Sequence, residues 1–110
     1  HPKLAPVKAG VFPLVNKLDK GAKKVFDLLK NEFNCKYDRS GSVGRRYARA
    51  DEEGIPFCIT FDFDSLKDKK VTIRNRDNTK QVRVKIEDLK ETLNKLINNE
   101  IKFEKTGKLV

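Results

Sequence analysis

The chain has 110 residues, with 25 Lys plus Arg against 16 Asp plus Glu and a formal charge of +9. That length suits one hydrophobic core and argues against a second sizeable domain or a multi-step enzyme with its own cofactor fold. Hydrophobic residues make up 37% of the chain, enough for a packed core, which argues against disorder.

In chain order, Val7 to Leu14 is an apolar run broken only by Lys8, Gly10 and Pro13, as expected of a strand covered on both faces. Ala22, Val25, Phe26, Leu29 and Phe33 recur at helical spacing, with Asp19 the expected N-cap ahead of Gly21. Cys35 to Asp38 reads as a short second strand. Ser40-Gly41-Ser42 reads as a turn whose last serine caps a helix over Val43 to Glu53, closed by Gly54. Phe57 to Phe61 is apolar, aromatic or β-branched and suits a buried central strand. Val71 and Ile73, then Val82, Val84 and Ile86, alternate with polar residues on either side of Arg76-Asp77-Asn78-Thr79, which predicts a hairpin. Leu89, Leu93, Leu96, Ile97 and Ile101 mark a last helix, and the mostly polar tail, residues 102–110, is expected to fray. The order βαβαβ, hairpin, α predicts a single-domain α/β sandwich with a mixed sheet.

No apolar run approaches the roughly 20 residues that span a bilayer, and no signal-peptide stretch opens the chain, so a soluble, cytoplasmic protein with no membrane partner is expected. Cys35 and Cys58 lack CxxC spacing and sit among apolar or aromatic neighbours, as part-buried thiols do in a reducing compartment. His1 is the only histidine, so no Ser-His or Cys-His arrangement can be drawn.

The positive charge is uneven. Arg39 to Arg49 holds four basic residues and no acid, Lys67 to Lys85 nets +6, and the remainder nets −1. Two local patches predict a polyanionic partner. The first lies on the helix from Val43, where Arg45, Arg46 and Arg49 precede Asp51, Glu52 and Glu53. This order opposes the helix macrodipole, and an external anion would compensate it. Val43, Tyr47 and Ala50 define the inward stripe, leaving Arg45 and Arg49 toward solvent, with Glu53 the plainer partner for Arg49. Gly41-Ser42-Val43-Gly44 is a weak phosphate-loop signal and reads more simply as a cap and turn. Asp62 and Asp64 share a strand face, a pattern open to a metal, but strand-end carboxylates more often cap turns. Phe63 lies beyond the strand's apolar stretch, at the edge where open α/β sheets bind ligands, and reads equally as core or as a stacking platform for a base. In the hairpin, Thr72, Arg74, Gln81, Arg83 and Lys85 share one face, which suggests a track for backbone phosphates.

The stretch from Ser40 through Gly44-Arg45-Arg46-Tyr47-Ala48-Arg49-Ala50-Asp51-Glu52, with Gly54-Ile55-Pro56-Phe57 and Thr60-Phe61-Asp62-Phe63-Asp64, closely resembles the C-terminal anticodon-binding domain of dimeric, archaeal/eukaryotic-like glycyl-tRNA synthetases. Leu4-Ala5-Pro6 leading to Val11-Phe12-Pro13-Leu14, and Arg74-Asn75-Arg76-Asp77 leading to Gln81-Val82-Arg83, extend the likeness across most of the chain. Asn75 and Glu53 depart from it, standing where the family usually has an aspartate and an apolar residue. The resemblance implies the class II synthetase anticodon-binding fold, a three-layer sandwich with a five-stranded mixed sheet, one strand antiparallel, and three flanking helices. It also implies recognition of the two anticodon cytosines of glycine tRNA, with Arg45 on a cytosine edge and Phe63 as the stacking surface. Ser40, Arg74, Arg76 and Asp77 are second-rank candidates, and Arg49 and Arg83 complete the RNA-binding set. ATP and magnesium would serve the full, homodimeric ligase through its other domains, and this stretch alone would hold no cofactor and catalyse nothing. The alternative is the accessory subunit of mitochondrial DNA polymerase, which resembles the same domain, and a flavodoxin-like enzyme ranks third.

Overall fold

The computed structural model describes all of residues 1–110. Strand β1 (Ala9–Pro13) pairs in parallel with β2 (Cys35–Tyr37) on one side and β3 (Phe57–Phe61) on the other. Every residue of β1 and β3 is buried, which explains why neither shows polar alternation. The apolar run from Val7 is therefore longer than its strand. Strand β4 (Lys70–Asn75) runs antiparallel to β3, and β5 (Gln81–Lys85) antiparallel to β4.

Helix α1 (Asp19–Leu29) and the later α4 (Leu89–Ile97) cover one face, where Ala22, Val25, Leu29, Leu89 and Leu93 pack on Val11, Ile59, Val71 and Ile73. Helix α2 (Val43–Glu52) covers part of the other face, where Ala50 joins Phe12, Cys58 and Ile55 with Tyr47 against them. Adjacent strand residues such as Val11 and Phe12 thus serve opposite layers. The α1 layer also fits tightly at Gly21, because a Cβ there would collide with the Phe61 ring.

Several expectations need correction. Asp19 is the first residue of α1 rather than its cap; its carboxylate accepts a hydrogen bond from the Tyr37 hydroxyl instead. The α1 helix stops at Leu29, and Phe33 is buried in the turn that follows. Ile86 belongs to a single 3-10 turn (Ile86–Asp88) and not to β5. A one-turn helix, α3 (Ser65–Asp68), follows β3. The tail is also not frayed in this structure. Phe103 is buried and stacks on Phe57, with ring centroids 6.4 Å apart and 8° between planes. A sixth strand, β6 (Lys108–Leu109), then pairs antiparallel with β5. Gly107 permits this approach, since a Cβ there would overlap the Arg83 carbonyl. The sheet order is β2-β1-β3-β4-β5-β6, six strands rather than five, and only β4 and β6 run against the rest.

Candidate nucleic-acid interface

The three parallel strands end on one edge of the sheet, and the start of α2 is fastened there. Ser42 caps the helix, its Oγ accepting from the Arg45 N–H at 3.3 Å. Gly54 closes the other end at φ +75°. Arg46 is only 3% exposed, and its guanidinium donates to the carbonyls of Pro13 and, at 2.9 Å, Gly41, while its Nε has no partner. One side chain therefore ties the end of β1 to the loop that precedes α2. The sequence stripe omitted Arg46 because of its charge, although it lies one turn from Val43 on the inward side. A buried cation is tolerated here because backbone carbonyls solvate it.

Arg49 does not pair with Glu53. It donates to Asp38 Oδ2 at 2.8 and 3.0 Å and to the Ser40 carbonyl at 2.6 Å, whereas Glu53 accepts from Lys36 at 2.6 Å. Asp38 also accepts the Ser40 N–H at 2.9 Å. Burial alone would raise the Asp38 carboxyl, but the Ser40 N–H and the Arg49 guanidinium outweigh it and hold it below the ordinary carboxylate value. Asp38 is a site residue that sequence reasoning missed. Its spacing to Ser40, an Asx turn, was the available signal.

The two arginines of the basic hairpin face are paired, whereas Lys85 on the same face makes no ion pair. Arg74 lies over the Tyr47 ring at 4.8 Å and pairs with Asp51 at 3.2 Å, and the Tyr47 hydroxyl meets Thr60 Oγ1 at 2.8 Å. Arg83 reaches Asp62 at 2.7 Å and Asp68 at 3.1 Å, and these carboxylates raise its pKa. Asp62 in turn accepts the Ser65 N–H and hydroxyl, each at 3.0 Å. Burial pushes the Asp62 carboxyl up, yet Arg83 and Ser65 together hold it low. Asp62 is thus a turn-capping, paired carboxylate, and no three His, Cys, Asp or Glu side chains converge as a metal group would need. Arg74 and Arg83 are therefore already engaged by carboxylates, Asp51 from α2 for the first, and Asp62 from the turn after β3 with Asp68 from α3 for the second.

Arg76 and Asp77 fall on the opposite edge. Their turn follows Asn75, which registers with Phe57 at the start of β3. Arg76 Nε donates to the Asp51 carbonyl at 3.1 Å, Asp77 is exposed, and Asn75 Oδ1 accepts the Asp77 N–H at 2.9 Å. At the other edge, Pro13 registers with Phe61, and Phe63, two residues further, is 50% exposed. The edge therefore gathers Phe63, Arg45 and Ser40. A shallow cleft lined by Leu14, Val15, Asn16, Gly41, Ser42, Val43 and Arg46 opens on this edge, between the end of β1 and the start of α2. Arg45 is exposed, and of the seven arginines it is the one whose side chain makes no hydrogen bond or ion pair. The thiols of Cys35 and Cys58 are pushed up to about 11 and about 12 by burial, so both are protonated at neutral pH.

No helix is long and apolar enough to cross a membrane. Residues 8–96 match the family described as "Anticodon binding domain". The chain is 61% identical over 89 residues to a glycine–tRNA ligase of Ruminiclostridium cellulolyticum, covering 81% of this chain and 19% of that protein. It is 50% identical over 103 residues to a glycine–tRNA ligase of Caldanaerobacter subterraneus subsp. tengcongensis, covering 94% of this chain and 22% of that one. The chain thus spans about a fifth of the length of these relatives. A crystal structure of prolyl-tRNA synthetase from Cryptosporidium parvum, complexed with halofuginone and AMPPNP, superposes at a TM-score of 0.80 over 89% of this chain and 22% of its own, at 21% identity, which establishes the likeness of fold. With the family model matching most of its length and the fold agreeing, this chain belongs to the anticodon binding domain family.

Proposed function

We propose that the chain is the anticodon-reading domain of a glycine–tRNA ligase and that it discriminates the two adjacent cytosines of the glycine anticodon. The observation that carries this reading is Arg45, the arginine left without an internal partner, exposed on the first turn of α2 at the edge that also exposes Phe63. A cytosine offers two acceptors and one amino donor on its Watson-Crick edge. A guanidinium matches the acceptors, and an aromatic ring holds the splayed base by stacking, worth about 1–3 kcal/mol. Ser40, fixed by Asp38 and Arg49, lies beside them with its hydroxyl available. In this reading Arg49, Arg74 and Arg83 act chiefly by holding the surface in shape, and Arg76 and Asp77 meet RNA only if it extends to the far edge. Glycine activation, with ATP and magnesium, belongs to the rest of a cytoplasmic, homodimeric ligase.

The test is a binding comparison between glycine tRNA and a transcript with one anticodon cytosine changed to uracil. A clear preference for the unaltered tRNA is expected, and equal affinity would reduce the surface to a generic RNA contact.

A further inference from the structure

Positive charge without an internal partner also collects on a set of lysines that does not line the cleft beside the start of α2. Lys17, Lys20, Lys24, Lys69, Lys85 and Lys90 make no ion pair and no side-chain hydrogen bond, in contrast to Lys23, Lys30, Lys36, Lys80 and Lys95. Those six rim two adjoining hollows of about 610 and 620 Å³ between α1, α3 and the start of α4. The hollows share Leu28, Lys69 and Ile86 and so form one groove. Its floor is aliphatic: Leu28 is 46% exposed, Leu66 is 62% exposed, and Ile86 lies between the lysines. Lys69 sits in the centre with φ 54°, a left-handed conformation that glycine would adopt more easily at the end of α3. Of the two acids on the rim, Asp68 is already engaged by Arg83, which leaves only Glu87 against the lysines.

An aliphatic floor inside a lysine rim has a definite complement. Exposed leucines gain nothing from phosphates, whereas they gain from a partner's aliphatic side chains. Lysines around them select carboxylates that flank those side chains. We propose that this groove docks an acidic amphipathic helix of a partner polypeptide, with aliphatic anchors on Leu28, Leu66 and Ile86 and carboxylates against the lysine rim. None of the residues assigned to base contact lines the groove, although Leu66 adjoins Phe63, its N–H donating to the Phe63 carbonyl at 3.3 Å. The inference does not depend on the RNA reading.

The probe is a fluorescein-labelled helical peptide with leucines at i, i+4 and i+7 and glutamates between them, titrated into this chain and followed by polarisation. Saturable binding that weakens with added salt is expected. Leu66→Glu and Lys69→Glu should each weaken it by about tenfold or more, while Lys105→Glu, away from the groove, leaves it unchanged. Circular dichroism melting of the variants checks that these exposed positions leave the fold intact. Absence of saturable binding, or equal binding by Leu66→Glu, overturns the proposal. Displacement of the peptide by a glycine anticodon stem-loop overturns it in favour of RNA. Hydrogen exchange on the full-length ligase supplies the last arm. Groove amides should gain protection when the peptide is added, and protection already complete without it overturns the proposal, because the ligase's own polypeptide then fills the groove.

Discussion

Arg45 and Arg83 look alike in a composition count and differ entirely in what their guanidinium groups touch. The Arg45 guanidinium makes no hydrogen bond or ion pair within the chain, so Arg45→Ala is expected to leave the denaturation midpoint nearly unchanged. It should weaken glycine tRNA binding by about 1–3 kcal/mol and relax the preference for cytosine. If it lowered only the salt dependence of binding, Arg45 would be a phosphate contact. Arg83→Ala should do the reverse, because it strands Asp62 and Asp68 without their shared cation. The expected loss is about 1–3 kcal/mol of folding stability in a urea titration, with cytosine preference retained. Sequence could find the basic residues but not their partners: Arg49 and Asp38 are 11 positions apart, Arg83 and Asp62 are 21 apart. Helix spacing offered only Glu53 for Arg49, and a partner brought in from a neighbouring loop leaves no periodic trace.

The long, periodic elements were readable because burial imposes their pattern. Phe57 to Phe61 was located to the residue, and α2, with its Ser42 cap and Gly54 stop, nearly so. The four-residue α3 and two-residue β6 escaped because neither is long enough to display a period. Phe103 was hidden for a related reason, as one aromatic in a polar stretch. Its stacking on Phe57 makes Phe103→Ala an expected loss of about 3–5 kcal/mol, measured by chemical denaturation. The loop into α2 and the turn after β3 carry a pH signature. Asp38 and Asp62 have folded pKa values below the ordinary carboxylate value of about 4. Their stabilisation is therefore complete above that value and is lost as pH falls through the lowered values. Melting temperatures from neutral to acid pH should decline on this limb, and Asp38→Asn should be less stable at neutrality with a shallower acid decline. An unchanged acid limb would mean that the Arg49 contact contributes nothing.

For the molecule as a whole, the sequence foretold an α/β sandwich with a mixed sheet, while the pairing of charges had to be seen. The tail changes the most in meaning. Both outer strands are short, three residues in β2 and two in β6. Without residues 102–110 the outer strand would be β5, five residues long and carrying Val82 and Val84. An open edge of that kind is a template on which another chain can add a strand. Deleting the tail should therefore raise light scattering at concentrations where the intact chain stays monomeric, even under conditions that preserve the fold. The stretch that reads as dispensable polar sequence thus acts as a guard against chain-to-chain strand addition, set at the one flank of the sheet where a free strand would be long enough to recruit a neighbour.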